Sequence, residues 1–80
     1  MNDSRIHPRY IKQNEIYWTD VLGEWMRIQI KSQPICKDGV WIFWGILLEI
    51  KMMKDFRWDG HSYDGISCDP LPRIYRKRIK

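Results

Sequence analysis

The segment from Val40 to Ile50 constrains the fold most, because it is the most apolar stretch of the chain. As a strand, it places its even-numbered side chains on one face and its odd-numbered side chains on the other. As a helix, it would have to accommodate Gly45 at a cost of about 1 kcal/mol relative to alanine. Its Trp, Ile, Phe and Val residues favour strands. The segment therefore predicts a strand through about Ile50, and a helix near residues 43–57 is the alternative.

The segment from Trp25 to Lys31 alternates between two kinds of side chain. Met26, Ile28 and Ile30 fall on one face, and the opposite face carries Trp25, Arg27, Gln29 and Lys31. A period of two over such a length is typical of a half-buried strand. We expect the face with Met26, Ile28 and Ile30 to point into the core.

The pair Asp38-Gly39 is of the kind that closes β-hairpins. A two-residue turn there pairs Lys37 with Val40 and leads to a register in which Arg27 faces Ile50. In that register Met26, Ile28 and Ile30 lie on the same side of the sheet as Glu49 and Lys51, so the apolar faces of the two strands do not coincide. A shift of one residue would move every side chain of a strand to the opposite face. We therefore expect a longer connection or a bulge near Pro34, which cannot donate to a ladder. The even-numbered residues of 40–50 are then predicted to face the core.

Further short strands are predicted at residues 15–18, 56–58 and 66–68, with turns at Asp59-Gly60 and Asp64-Gly65. Residues 74–79 fit either a last strand or a short helix. The predicted fold class is mainly β, as a small SH3-like barrel or a strongly twisted antiparallel sheet of about five strands. The alternative is an α+β fold that contains the helix near residues 43–57.

The small size of the chain limits how much of its sheet can be covered. With 80 residues it forms one domain, and such a chain hides only about 60–65% of its unfolded surface. Its five tryptophans suit both a small core and an interface. The predicted outward face therefore supplies the candidate partner-binding residues Trp25, Arg27, Lys31, Trp41 and Phe43. A covering layer or a homodimer would be the alternative use of that face.

The positive charge is concentrated at the C-terminal end. Of the 14 Lys and Arg residues, five lie in residues 73–80, whereas residues 1–72 hold the other nine together with all 10 Asp and Glu. We therefore divide the chain into a near-neutral domain, 1–72, and a basic strand or tail, 73–80. Cations beside an aromatic ring suit nucleic acid or another polyanion, and the candidates are Arg73, Tyr75, Arg76, Lys77, Arg78 and Lys80. A last strand with a solvated basic face is the alternative.

Catalytic and metal-binding patterns are not evident in the sequence. His7, Cys36, His61 and Cys68 do not have the paired spacing of a zinc site. No nucleophile has a recognisable activating context, and the glycines form no phosphate-binding loop. We expect no metal, no cofactor and no enzymatic activity.

The start of the chain, Met1-Asn2-Asp3-Ser4-Arg5, lacks the apolar segment of a signal peptide. The expected compartment is therefore the cytoplasm, with both cysteines reduced. The longest apolar stretch is about half as long as a membrane-spanning helix, so no membrane partner is expected.

Together these features predict a small interaction protein, an adaptor or inhibitor of the kind that phages and other mobile elements direct at host complexes. Its partner would be a protein or a nucleoprotein complex. Direct binding of DNA or RNA through the basic C-terminal end is the second hypothesis. A metal-dependent or thiol enzyme is a third, which the sequence does not favour.

Overall fold

Six strands form one antiparallel sheet in the computed structural model, which describes residues 5–59 and 72–77. They are β1 (Ile16–Val21), β2 (Glu24–Ile30), β3 (Ile35–Lys37), β4 (Val40–Leu47), β5 (Met52–Trp58) and β6 (Ile74–Tyr75). The sheet formed by these strands is open rather than closed into a barrel. The mainly β class is confirmed, and the alternative helix near 43–57 is wrong because β4 and β5 occupy that segment. The predicted strand at 66–68 lies outside the described residues.

Strand β4 organises the sheet because it pairs with three of the other described strands. Strand β5 follows it along one edge, whereas β2 and β3 share the other edge, β2 beside the C-terminal half and β3 beside the N-terminal half. Strand β1 pairs with β2, and β6 pairs with β1. Both ends of the described chain are brought to the same side, since Arg5 bridges to Tyr75.

Two tight turns of the same type close the hairpins β1–β2 and β3–β4. Leu22 and Gly23 have φ angles of 52° and 85°, and Asp38 and Gly39 have φ angles of 55° and 80°. Two successive positive φ angles characterise the type I′ turn, whose twist matches that of the strands it joins. The connection at Asp38-Gly39 is therefore a two-residue turn with Lys37 opposite Val40, which leaves the bulge, and not a longer connection, as the alternative that holds.

The segment between β2 and β3 is a bulge of unusual length. Ile30 pairs with Gly45 and Ile35 pairs with Ile42, so the four residues 31–34 face only the two residues 43–44. The carbonyl oxygen of Trp44 accepts hydrogen bonds from the backbone N–H groups of both Lys31 and Ser32. The expected interruption before β3 is thus confirmed, and Pro34 lies within it.

The faces of β4 are opposite to those predicted. Phe43 and Leu47 are buried together with Ile28 and Ile30, whereas Ile42 is exposed. The reason is that the bulge adds two residues rather than one, and an even number leaves every side chain on its original face. The prediction that the even-numbered residues face the core is wrong. The prediction that Ile28 and Ile30 do so is confirmed.

Residues 5–11 cross the buried face of the sheet and supply its second layer. Ile6, Pro8 and Ile11 are buried, and a short 3-10 helix spans Pro8–Tyr10. The backbone N–H of Ile6 donates to the carbonyl oxygen of Ile74 at 2.9 Å, and the N–H of Lys12 donates to the hydroxyl of Tyr17 at 3.1 Å. The N-terminal segment therefore closes the core over one face and leaves the other face uncovered by any described residue.

Strand β4 ends at Leu47, earlier than the predicted end near Ile50, because a turn begins there. Lys51 has a φ of 55°, and its N–H donates to the carbonyl oxygen of Leu47 at 2.6 Å.

No described helix has the length and apolar character needed to cross a lipid bilayer.

Candidate functional site

The uncovered face of the sheet, which we call the outer face, is the largest candidate site. Cross-strand partners share a face, so the pairing of the strands defines its members. They are Ile16, Trp18, Asp20, Trp25, Arg27, Gln29, Ile35, Lys37, Val40, Ile42, Trp44, Ile46, Met53, Asp55, Arg57 and Tyr75. Most of these side chains are apolar, and of them only Tyr75, at the β6 end, is buried.

The apolar side chains of the outer face are unusually accessible. Ile16, Ile35, Ile42 and Met53 are between 40% and 60% exposed. Trp18, Trp44 and Ile46 are half-buried on the same face. A contiguous apolar surface that includes aromatic rings is typical of a site where another molecule binds.

Trp25, Arg27 and Lys31 lie where the sequence placed them, but two of them have internal partners. The indole of Trp25 meets the ring of Tyr75 edge-on, with centroids 4.8 Å apart. The guanidinium Nε of Arg27 donates to Glu49 Oε2 at 2.8 Å. Lys31 is exposed on the bulge. Trp25 and Arg27 are therefore partly fixed by the fold itself, and their free surface is reduced.

The carboxylate of Glu49 is bound to Arg27 through both of its oxygens. The backbone N–H of Arg27 donates to Oε1 at 2.9 Å, while the side chain donates to Oε2. These hydrogen bonds, the backbone one first, lower the pKa of Glu49 below its ordinary value. The pair ties the β4–β5 turn to β2 and neutralises the guanidinium of Arg27.

Trp41 and Phe43 lie on the buried face, and their predicted outward orientation is wrong. Phe43 is only 1% exposed and stacks on Phe56 with ring centroids 4.8 Å apart. Trp41 is half-buried and meets the ring of His7 edge-on at 5.5 Å. The physical reason is again the two-residue bulge, which keeps the odd-numbered side chains of β4 on the core side. Neither residue is available as an anchor on the outer face.

His7 joins Trp41 and Trp58 in an aromatic cluster at the edge of the core. Its ring lies 5.0 Å from that of Trp58, with the planes nearly perpendicular. Its Nδ1 accepts a hydrogen bond from the backbone N–H of Arg9 at 3.0 Å. Burial and, secondly, the positive charge of Arg9 lower the pKa of His7. Both the packing and the hydrogen bond favour the neutral imidazole.

The basic C-terminal residues divide into a structural part and an exposed part. Tyr75 is buried at 9% exposure between the strands and Trp25, so its ring is not a platform on which a base can stack. Arg73 is half-buried, and its carbonyl oxygen accepts a 2.8 Å hydrogen bond from Thr19 Oγ1. Arg76 and Lys77 are exposed. Arg78 and Lys80 lie outside the described residues.

Groups suited to metal binding or nucleophilic chemistry are sparse in residues 5–59 and 72–77. No three His, Cys, Asp or Glu side chains of this part come together in a way that would hold a metal ion. Cys36 is a free, exposed thiol on the short strand β3. His61 and Cys68, the other candidates, lie outside the described residues.

Sequence reasoning missed the residues that dominate the outer face, which are Trp18, Ile35, Ile42, Trp44, Asp55 and Arg57. The missing information was the number of extra residues between β2 and β3. An odd excess would have placed the even-numbered residues of β4 in the core, and an even excess places them outside. The sequence of residues 32–38 is compatible with an odd or an even number of extra residues, so the sequence pattern alone does not decide which side chains of β4 face the core.

Comparisons of the chain with protein-family models, with curated proteins and with solved structures found no match.

Proposed function

We propose that this chain is a non-enzymatic interaction protein, an adaptor or inhibitor, that binds a protein or nucleoprotein complex through its outer face. The observation that carries the proposal is the accessibility of Ile16, Ile35, Ile42 and Met53 on a face that no described residue covers. Apolar surface of this extent is costly to leave in water and is stabilised when a partner buries it.

The cytoplasm of a host cell is the proposed place of action, and a phage or other mobile element the proposed source. Both belong to the same hypothesis, in which a small protein acts by occupying a surface of a larger host complex. In that role a preformed, rigid sheet face is an advantage, because little conformational entropy is lost on binding.

Direct binding of nucleic acid receives less support from the geometry. Its predicted stacking ring, Tyr75, is buried, and Arg73 is half-buried. The exposed cations Arg76 and Lys77 can steer the protein toward an acidic partner without reading a base. We therefore assign them an auxiliary electrostatic role.

A pull-down from lysate of the native host tests the proposal with two variants. The double substitution Ile42→Ser and Met53→Ser removes apolar surface from the outer face, whereas Leu22→Asn removes an equally apolar side chain, 99% exposed, from the β1–β2 turn. We expect the double variant to lose the partner and Leu22→Asn to retain it. Retention by both variants, with the double variant shown to be folded, would refute the proposal.

Nuclease treatment of the same lysate separates the two functional hypotheses. A partner that is still recovered after digestion is bound through protein, as proposed. If every captured molecule disappears after digestion and truncation after Tyr75 abolishes capture, the nucleic-acid hypothesis replaces the present one.

A further inference from the structure

A cleft opens beside Trp44, and the bulge between β2 and β3 creates it. Because β2 leaves β4 after Ile30 and β3 rejoins it at Ile35, the side of β4 at Trp44 has no regular strand beside it. Ser32 closes this end, since its Oγ accepts a hydrogen bond from the Trp44 N–H at 3.1 Å. The cleft has a volume of about 460 Å³.

The walls of the cleft are mainly apolar, and its size suits one or two side chains of another molecule. Ile35, Ile42 and Trp44 of the outer face line it. Phe43 and Phe56, whose rings belong to the core, also border it. Protein sites for small ligands and anchoring groups occupy roughly 300–1,000 Å³ and combine apolar walls with a few polar groups. The cleft meets both criteria, and its apolar wall is continuous with the rest of the outer face.

Two opposite charges stand on the wall that β5 contributes. Asp55 lies across from Trp44, and Arg57 lies across from Ile42. Both side chains are exposed, and neither forms an ion pair with a described residue. Residues two apart on a strand are separated by about 6.6–6.8 Å and point to the same face. An occupant of the cleft therefore meets a negative group and a positive group side by side.

Asp55 and Arg57 differ from Arg27 and Glu49, which form an ion pair with each other. Arg27 is already neutralised by Glu49, so it contributes little selectivity toward an incoming group. Asp55 and Arg57 are neutralised by nothing in the described chain, which leaves their pairing to the occupant. The carboxylate of Asp55 also disfavours a phosphate chain along this wall, since like charges at close range repel.

We propose that the cleft receives one aromatic or branched apolar side chain from an extended segment of the partner protein, flanked by one basic and one acidic residue. The apolar side chain contacts Ile35, Ile42 and Trp44, while the flanking charges pair with Asp55 and Arg57. This inference rests on the proposed function, because it names the chemistry of the partner at the outer face.

Selection from a random dodecapeptide library displayed on phage tests the charge pattern without knowledge of the partner. The immobilised proteins are the wild type, the single variant Asp55→Arg, which presents two positive charges, and the single variant Arg57→Asp, which presents two negative charges. We expect an apolar residue in all three consensus sequences, with flanking charges of both signs for the wild type. The flanks should become acidic for Asp55→Arg and basic for Arg57→Asp. The same consensus from all three proteins, or no enrichment, overturns the inference.

A synthetic peptide with the wild-type consensus then separates the contributions of the cleft and the charges. Fluorescence anisotropy should show a loss of about twofold to fivefold in affinity for each charge reversal, as expected for exposed ion pairs. Serine in place of the central apolar residue of the peptide, or Ile42→Ser in the protein, should abolish binding. The matched control Leu22→Asn should bind as the wild type does, and equal affinity for the consensus and serine peptides overturns the inference.

Sedimentation of the wild type and variants distinguishes a second copy of the chain from a foreign segment. The inference predicts a monomer in every case. A wild-type dimer that dissociates in each single charge variant and re-forms when the two variants are mixed overturns it in favour of self-association.

The same variants distinguish the failure of this inference from the failure of the proposed function. If the outer-face double variant loses the host partner but the charge reversals do not affect capture, the outer face remains the binding site and only the cleft assignment falls. If the double variant still captures the partner, the proposed function itself falls.

Discussion

Thr19 donates a hydrogen bond of 2.8 Å from its Oγ1 to the carbonyl oxygen of Arg73, although 54 residues separate the two in the chain. Thr19 is fully buried, and it pairs with Ile74 in the register of β1 and β6. The bond therefore adds a side-chain contact that fixes the start of the two-residue strand β6.

The substitution Thr19→Val should release β6 while keeping the shape of the side chain. Loss of this buried hydrogen bond should lower the free energy of unfolding by about 1–2 kcal/mol. Hydrogen exchange at Ile74 and Tyr75 should accelerate more than exchange in β4. Thr19→Ser, which keeps the hydroxyl, should preserve the protection of β6, and equal exchange in the two variants would contradict the assignment.

The two faces of β4 should respond in opposite ways to truncation. Phe43→Ala removes a ring that stacks on Phe56 in the core and should cost about 3–5 kcal/mol, which approaches the whole stability of a chain of this size. Ile42→Ala should cost less than about 1 kcal/mol, because Ile42 is 40% exposed. Denaturant unfolding of both variants measures the difference. Comparable losses would show that the faces are misassigned.

Alanine at Gly45 should destabilise the sheet, although glycine is ordinarily a poor strand residue. A Cβ at this position would lie 2.6 Å from the carbonyl oxygen of Gln29 and 2.8 Å from Ile28 Cγ1. Strands β2 and β4 would have to move apart, at a cost of about 1–3 kcal/mol. Chemical denaturation gives the free energy of unfolding, and amide chemical-shift changes should centre on Ile28 and Gln29. An alanine variant as stable as the wild type would refute the close approach.

Leu22→Asn should stabilise the protein. Leu22 is almost completely exposed and has a φ of 52° in a type I′ turn, a conformation that Asn adopts readily and a branched apolar residue does not. We expect a gain of about 0.5–1 kcal/mol, seen as a higher melting temperature. A lower melting temperature would mean that the leucine makes a contact not evident from the fold.

The protonation of His7 should destabilise the folded chain. Its pKa lies below the ordinary 6.5 because of burial and, secondly, Arg9. The unfolded state therefore binds the proton more readily, so the contribution of His7 to stability is complete above pH 6.5 and is lost as the pH falls through the lower folded pKa. His7→Gln should remove this part of the pH dependence. An imidazole titration followed by NMR, with His61→Asn for assignment, should give a midpoint below 6.5, and a higher midpoint would contradict the prediction.

The sequence predicted those elements that depend on residues close together in the chain. The alternation of 25–31 predicted β2 and its buried face, and Asp38-Gly39 predicted the turn between β3 and β4. Both depend on residues that are close in the chain, and their physical causes, side-chain period and positive φ, act within a few residues.

Other elements have no such local signal. The turn between β4 and β5 contains neither glycine nor proline, and Lys51 adopts the positive φ. Strand β5 begins with two exposed methionines, which show no alternation, so only its end was predicted. Which residues form the outer face depends on the number of extra residues in the bulge, and the hydrogen bonds of the Trp44 carbonyl oxygen fix that number. These features arise from contacts between distant residues.

The unequal lengths at the β2–β3 junction, four residues opposite two, have a consequence for how such a chain tolerates insertion and deletion. Removal of two residues from 31–34 would leave a regular ladder in which every side chain keeps its original face. It would also remove the cleft beside Trp44. Removal of a single residue would turn β3 over relative to β2. Shortening by an even number would therefore keep the fold and remove the cleft, which makes this short connection the place where the sheet and the proposed docking site can vary separately.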